Sequence, residues 1–241
     1  MKVALLISGH LRTFKKCFPY LKKNLLNCFD VDVFIHTWDE IESKTKSWHN
    51  QHMNNYKIDT DIISFINKNY SPKMLKIETQ IDFKIDGTLA DADISLNGLK
   101  NMTYGFKSVY DLLKDFENKN NIQYDRLIKV RPDVVLKHPF PVKSLEIQDK
   151  SILFFGNRCP VPLRQVEYKF YHDYRALDIL SVCSNDSAAL GVYGLYDNFD
   201  IYYTKKDFMH SPYLDLVIDR KINFDISRNY LYGTHWEILR G

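Results

Sequence analysis

The chain has 241 residues, 45% of them hydrophobic and 26% charged, which is enough for one sizeable core. Its 33 Lys and Arg against 30 Asp and Glu give a formal net charge of +3 without a basic block. This composition argues against nucleic-acid binding and suits an anionic small molecule or peripheral contact with an anionic membrane face. The four cysteines lack metal-ligand spacing, and no apolar run is long enough for a signal peptide or a membrane span, so we expect a cytoplasmic protein with reduced thiols.

The chain opens with a continuous apolar run at residues 3–7, which predicts a strand buried on both faces of a parallel sheet. A loop with one glycine and an amphipathic helix follow, and Pro19 predicts that the regular helix begins near residue 17 or 18. Backbone N–H groups at such a loop bind a phosphate or a base edge. The nucleotide-binding candidates in this loop are Ser8, Gly9, His10 and Arg12. A plain turn is an equally good interpretation, because the loop is neither a dinucleotide-binding motif nor a P-loop.

A second apolar strand is predicted at residues 31–36, and polar groups again follow its C-terminal end. These are Thr37 and Trp38, which are binding candidates, and Asp39, a candidate base. The polar segment 41–56 predicts a flap over the site. Its two histidines, His49 and His52, lack a third ligand and are interpreted as solvated side chains rather than a metal site.

The strongest helical pattern of the chain covers residues 96–113, after a helix that Asp59 or Thr60 caps and a third strand at 74–77. One stripe of this long helix is apolar. The other stripe consists of Asn97, Asn101, Tyr104 and Ser108. This second stripe predicts either the border of a pocket or a half-solvated helix face.

The segment 124–140 organises the chain, because its buried strand must end at Pro132, which has no N–H for a sheet ladder. Arg131 and Asp133 therefore fall at a strand's C-terminal end, where open α/β sheets bind ligands. We expect Asp133 to face a phosphate-bearing substrate, directly or through a cation, with Arg131 beside it. The alternative is an ordinary Pro-Asp turn.

The last third of the chain is less regular, with strands predicted at 151–155 and 179–183 and a helix at 213–219. Asp186 follows the second of these strands and is a candidate base, or else a turn former. Four strand–helix units precede this part. We therefore predict an α/β protein whose mainly parallel, Rossmann-like sheet is flanked by helices in a single domain over 1–241.

Four segments in this order resemble a bacterial capsule or lipopolysaccharide glycosyltransferase of the GT-A type. They read ALLISGHLRTF at residues 4–14, DVFIHTWDE at 32–40, YDRLIKVRPDVVL at 124–136 and SNDSAALG at 184–191. The resemblance implies an enzyme at the inner face of the inner membrane that transfers a sugar from a nucleoside-diphosphate sugar to a growing capsular, lipopolysaccharide or lipid-linked glycan. It also implies a GT-A-like fold with a nucleotide-binding part at about 1–140 and an acceptor-side part at about 141–241.

The same resemblance implies that the base lies near residues 8–12, the ribose near 37–39 and the diphosphate near Asp133. Asp186 would lie on the acceptor side. Inversion at the anomeric carbon would also require a base for the acceptor hydroxyl, for which Asp186 and Asp39 are the candidates.

The chain departs from this family at one position, because most GT-A enzymes present Asp-x-Asp and here Arg131 stands at the first acidic position. A Mn²⁺ or Mg²⁺ ion held by Asp133 is one expectation, since Mg²⁺ commonly uses only one or two protein carboxylates. His235 could complete such a metal site. The alternative cation is Arg131 itself, bonding the diphosphate directly.

Two other functions fit the sequence. DVFIHTWDE is distantly similar to the aspartate-bearing strand of capsule phosphotransferases, which suggests a sugar-phosphate transferase of capsule assembly. The single carboxylate at Asp133 suggests instead a non-catalytic subunit that binds a nucleotide or a glycan.

Overall fold

The computed structural model describes residues 1–42, 56–88, 95–158, 174–175, 178–203 and 212–239. They form an α/β fold in which helices flank a mostly parallel, seven-stranded sheet, consistent with a Rossmann-like architecture. The prediction of a mainly parallel sheet flanked by helices is therefore confirmed.

The described elements alternate between strands and helices through the first half of the chain. In chain order the strands are β1 (Val3–Ser8), β2 (Asp32–Trp38), β3 (Met74–Glu78), β4 (Arg126–Val130), β5 (Val134–Leu136), β6 (Ser151–Phe154), β7 (Asn157–Arg158), β8 (Tyr174–Arg175), β9 (Ser181–Ser184), β10 (Asn223–Ile226) and β11 (Trp236–Ile238). The helices are α1 (Phe14–Leu21), α2 (Thr60–Tyr70), α3 (Leu96–Asn120), α4 (Ala189–Tyr193), α5 (Phe199–Tyr203) and α6 (Pro212–Asp219). A π-helical turn at Lys22–Leu26 and a 3₁₀ turn at Val142–Leu145 complete the set.

The central sheet has the strand order β10-β6-β9-β4-β1-β2-β3. β1 lies between β2 and β4 and runs parallel to both, whereas β9 runs antiparallel to β4 and β6. The chain first moves outward from β1 through β2 and β3, and then returns to place β4 on the other side of β1. Ligands of open α/β sheets bind at such a switch point, outside the carboxyl ends of the strands.

The core lies on both faces of this sheet, which explains why β1 is a continuous apolar run. Ala4 and Leu6 pack on the face that α3, α4 and α6 cover. Leu5 and Ile7 pack on the opposite face, with α1, α2 and the antiparallel β5–β11 pair. Both faces of β1 are buried, so its two ends are the parts of the strand that can reach solvent.

Three local predictions have clear outcomes. The Asp59 carboxylate accepts a hydrogen bond from Ile62 N at 2.9 Å, so this residue caps α2 as expected. β4 ends at Val130, directly before the Arg131-Pro132 pair. The predicted start of the first helix was wrong, because α1 begins at Phe14 and contains Pro19. The exposed Pro19 removes only one backbone donor, and the helix continues beyond it into the π-helical turn.

Most of the predicted flap, residues 43–55 with His49 and His52, lies outside the described residues. The two ends of the segment are joined by hydrogen bonds, from Ile41 N to Tyr56 O at 3.0 Å and from Ile58 N to Asp39 O at 2.8 Å. No helix within the described ranges combines the length and the apolar character needed to cross a bilayer.

Candidate functional site

Three loops meet at the carboxyl edge of the central sheet, after β1, β2 and β4. Gly9 N donates a hydrogen bond to His36 O at 3.4 Å, which ties the first loop to β2. Gly9 has a φ of 131°, and a Cβ atom there would lie 3.5 Å from Pro132 Cδ. The loop after β1 therefore packs against the Arg131-Pro132-Asp133 turn, as the switch-point geometry requires.

The centre of this edge is the carboxylate of Asp133, whose residue is 0% exposed. Arg131 donates to both of its oxygens, from Nε to Oδ1 at 3.0 Å and from Nη2 to Oδ2 at 2.6 Å. Arg12 adds a third bond, from Nη1 to Oδ2 at 3.2 Å. Two guanidinium groups from different loops thus converge on one buried carboxylate.

Arg12 is held by a second carboxylate that the sequence analysis did not single out. Its Nε and Nη2 each lie 2.8 Å from Oε1 of the buried Glu42. Arg12 has a φ of 38°, in the left-handed region that non-glycine residues seldom adopt. Such conformations persist where surrounding contacts over-determine them, and they cluster at ligand sites. The arrangement orients the Arg12 guanidinium toward Asp133.

The Arg131 guanidinium keeps its charge and part of its hydrogen-bonding capacity. Burial is the largest single effect and lowers its pKa, but the Asp133 carboxylate, together with Asp178 and Glu42, outweighs it, so that the pKa of Arg131 is raised. Its side chain is 17% exposed, and its Nη1 has no hydrogen-bond partner among the described residues. An oriented guanidinium with unused donors is a binding group for phosphate oxygens.

His10 lies beside these two arginines as a neutral side chain. Burial, chiefly, lowers the pKa of His10 to about 4, and the nearby Arg12 and Arg131 charges contribute to the decrease. Its Nδ1 donates to the Glu40 carbonyl at 3.1 Å, which leaves Nε2 as an acceptor. His10 can therefore accept a hydrogen bond from a ligand hydroxyl or amine, but it is a weak base.

Three of the predicted binding side chains point into the protein. Ser8 is 1% exposed, and Thr37 and Trp38 are also buried. Thr37 Oγ1 donates to Gly9 O at 2.9 Å, and the Trp38 ring stacks on Tyr104 at 5.8 Å. The expectation that these side chains bind the nucleotide is therefore corrected, because they position the loops instead.

Ser8, His36 and Glu78 form a chain of polar groups with the residue types of a hydrolase triad. Ser8 Oγ lies 3.4 Å from His36 Nδ1, and His36 Nε2 lies 2.7 Å from Glu78 Oε1. Burial lowers the pKa of His36, so the neutral ring donates from Nε2 to Glu78 and accepts at Nδ1. A Cβ on Gly105 of α3 would lie 2.7 Å from Ser8 Oγ. The hydroxyl is sealed under the helix and is not available as a nucleophile.

Asp39 remains at the carboxyl edge with part of its carboxylate accessible. It is 24% exposed, and its Oδ2 accepts from Thr79 Oγ1 at 2.9 Å and lies 3.5 Å from Lys57 Nζ. β1 separates β2 from β4, so Asp39 and Arg131 are roughly 10 Å apart across the strands. Of the two predicted bases, Asp39 is the one that shares an edge with Asp133.

Asp186 lies at the opposite edge of the sheet. It follows β9, which runs antiparallel, and Ser184 pairs with Arg126 at the start of β4. Asp186 is thus roughly 16 Å along the strand from Arg131. Its oxygens accept from Lys150 N and Ala188 N, both at 2.8 Å, and from Ser184 Oγ at 3.0 Å. The role of Asp186 as a base for chemistry at Asp133 is contradicted by this position, and the turn-former interpretation fits.

His235 and Asp133 lie at opposite ends of the antiparallel β5–β11 pair. Leu239 N bonds Asp133 O at 2.8 Å at one end, whereas Lys137 N bonds His235 O at 2.8 Å at the other. Four residues of strand separate the two, or roughly 13 Å. His235 Nδ1 already accepts from Leu231 N at 3.0 Å. The predicted pairing of Asp133 and His235 at one metal is therefore corrected, and the described residues contain no group of three or more ligands that could hold a metal ion.

The sequence analysis also did not single out Lys129, although a lysine within an apolar strand indicates a buried charge. It is 2% exposed, and its Nζ lies 3.3 Å from Tyr213 OH and 3.6 Å from the centre of the Phe106 ring. Burial lowers the pKa of Lys129 to about 7. A buried lysine two residues before Arg131 adds a titratable charge below the candidate site.

Comparison with known protein families and with curated proteins gives no match for this chain.

Proposed function

We propose that the protein is a glycosyltransferase of the GT-A type that transfers a sugar from a nucleoside-diphosphate sugar to a growing capsular or lipopolysaccharide glycan. The observation that carries the proposal is the convergence of Arg12 and Arg131 on the buried Asp133 carboxylate, beside a glycine-containing loop at the carboxyl edge. This edge is where open α/β sheets bind nucleotides, and guanidinium groups suit a diphosphate.

The proposed reaction displaces a nucleoside diphosphate from the anomeric carbon, so negative charge grows on the leaving phosphate. The unused Nη1 donors of Arg131 would bond its oxygens, and Arg12 would add a second positive charge. Asp133 and Glu42 keep both guanidinium groups in place before the substrate binds. Charge stabilisation by groups that need no reorganisation is generally the largest contribution to such catalysis.

A divalent metal at Asp133 does not suit this arrangement. Both carboxylate oxygens already accept N–H groups, Oδ2 from two arginines, and the residue is fully buried. A metal ion would have to displace at least one guanidinium and would then leave that charge unpaired. The proposed neutralisation of the diphosphate therefore uses Arg131 and Arg12.

The proposed base for the acceptor hydroxyl is Asp39, the partly exposed carboxylate directly after β2. His10 Nε2 is an acceptor suited to a ribose hydroxyl or a base edge. The backbone of the loop at Gly9 provides the close approach that a nucleotide needs.

Binding of UDP, GDP or CDP, measured as a thermal shift, tests the proposal. A nucleotide at about 100 times its dissociation constant should add ~2.7 kcal/mol to the free energy of unfolding and raise the melting temperature by roughly 5 to 10 °C. The absence of a shift with all three would refute the donor site. Nucleotide binding without turnover on any acceptor would favour the non-catalytic subunit.

A further inference from the structure

A cavity of about 280 Å³ lies along α3, between that helix, β3 and the loop that joins α4 to α5. Its aromatic lining is Tyr104 and Tyr196, whose rings are 5.2 Å apart and nearly perpendicular. Tyr104 stacks on Trp38 at 5.8 Å, and Trp38 lies 6.2 Å from His10. The cavity is therefore connected to the candidate donor site through two ring contacts. Its volume is close to the lower limit of about 300 Å³ for ligand pockets.

The cations that line the cavity are already paired within the protein. Lys107 Nζ bonds both oxygens of Asp111, at 2.6 and 2.8 Å. Lys76 Nζ pairs with Glu78 Oε2 at 2.9 Å. The two other carboxylates of the lining, Asp115 and Asp197, have no ion-pair partner in the part of the chain that the structure describes. The lining thus offers hydrogen-bond acceptors and an excess of negative charge.

The Tyr196 hydroxyl adds a donor next to these acceptors. Burial, together with Tyr104 and the Asp197 carboxylate, raises the pKa of Tyr196, so the hydroxyl stays protonated at neutral pH. Ring faces can pack on the C–H face of a pyranose, while carboxylates and a hydroxyl bond its OH groups. The carboxylates of the lining would repel an acidic sugar, because the lining cations are already paired and cannot neutralise its charge.

We propose that this cavity binds one saccharide unit of the acceptor glycan. This unit is either neutral or carries an amino group, and it has no acidic group. Its assignment to the acceptor rests on the proposed function. The polar stripe of α3 supports the placement of a ligand in this cavity, because only part of the stripe is used in hydrogen bonds to a neighbouring loop. Asn97 and Asn101 bond the backbone of residues 81–83, whereas Tyr104 and Ser108 line the cavity.

Calorimetric titration without any nucleotide tests the proposal. The probes are chitotetraose, its fully deacetylated form and tetragalacturonate, which are neutral, amino-bearing and acidic. We expect one or both of the first two to bind more tightly than the acidic probe. Tyr196→Ala should weaken that binding about tenfold, which equals ~1.4 kcal/mol, and Asp197→Asn should weaken it in the same direction. Tyr20→Ala, at an exposed position of α1, is the matched control and should bind as the wild type does.

Three results would overturn the proposal. They are preferential binding of tetragalacturonate, no binding of either other probe at millimolar concentration, and equal binding by the wild type and both variants. A loss of the UDP, GDP or CDP thermal shift in the Tyr196 variant, without a loss of saccharide binding, would assign the cavity to the nucleobase instead. If saccharides bind through Tyr196 but no nucleotide stabilises the fold, the proposed donor site fails while the saccharide site stands.

Discussion

Arg131 and Asp133, two residues apart, form a two-pronged ion pair in which Nε–Oδ1 is 3.0 Å and Nη2–Oδ2 is 2.6 Å. Pro132 between them ends the sheet ladder, so both side chains turn to the same edge. In this pair the Asp133 carboxylate orients the Arg131 guanidinium.

Asp133→Asn should destabilise the protein by about 3 to 5 kcal/mol, because a neutral amide leaves two partly buried guanidinium groups without their counter-charge. Urea unfolding measures this loss. Asp149→Asn is the matched control, since Asp149 pairs with Arg126 at 3.1 Å but is 81% exposed. The control should cost less than about 1 kcal/mol. Equal effects of the two substitutions would contradict a buried clamp at Asp133.

Excess EDTA should leave the nucleotide-induced thermal shift unchanged, whereas Arg131→Lys should remove most of it. A lysine keeps the charge but cannot reproduce the paired donors that bond Asp133 and a phosphate together. Arg228→Lys, at an exposed arginine, is the control. Loss of the shift in EDTA, with full binding by the Arg131 variant, would restore the metal-based account.

Asp186→Ala should lower the free energy of unfolding by about 1 to 2 kcal/mol without changing turnover, because the carboxylate caps a turn far from Asp133. Its hydrogen bonds, working against burial, lower the pKa of Asp186. This contribution is therefore present above the carboxylate's unfolded pKa and is lost as the pH falls through the folded value. A fall in turnover at unchanged stability would return Asp186 to the active site.

Lys129→Met should change how stability depends on pH. Burial lowers the pKa of Lys129 to about 7, although the faces of Phe106 and Tyr213 and the nearby Asp178 favour the ammonium, while Arg131 opposes it. The unfolded chain therefore binds a proton that the native chain lacks between about pH 7 and 10.5, and the wild-type free energy of unfolding rises there by up to ~1.4 kcal/mol per pH unit.

The difference in unfolding free energy between the wild type and the Met variant, measured by urea unfolding from pH 6 to 9, isolates this contribution. It should shift in favour of the wild type as the pH rises. Lys119→Met, at an exposed lysine near the end of α3, is the matched control. Parallel curves for the wild type and Lys129→Met would show that the amine is charged throughout this range.

Gly105→Ala should destabilise the protein by about 1 to 3 kcal/mol, since overpacking shifts neighbouring groups. The new Cβ would lie 2.7 Å from Ser8 Oγ and 3.3 Å from His36 Nδ1. Gly98→Ala, on the same helix with its nearest atom at 3.7 Å, should be neutral or stabilise by up to ~1 kcal/mol. Equal melting temperatures for the two variants would mean that α3 does not seal Ser8.

The sequence by itself determined the strands of the parallel half and the three loops that follow them. Continuous apolar runs mark β1 and β2 because both faces of each strand are buried, and Pro132 marks the end of β4 because it cannot continue a ladder. These signals are local, so they can be read in a single segment. The same signals predict that Arg12, Asp39 and Asp133 lie at one edge of the sheet, because the carboxyl ends of parallel strands meet at the same edge.

Only the tertiary structure decided which side chains at these positions face a ligand. Ser8 turned inward because Gly105 and His36, from two other elements, lie against it. Asp186 fell at the far edge because β9 runs antiparallel, a direction that its pairing with β4 and β6 sets. Asp133 became a partner of Arg12 across 121 residues of chain. Strand direction and burial depend on contacts between distant segments, and residue periodicity carries no information about them.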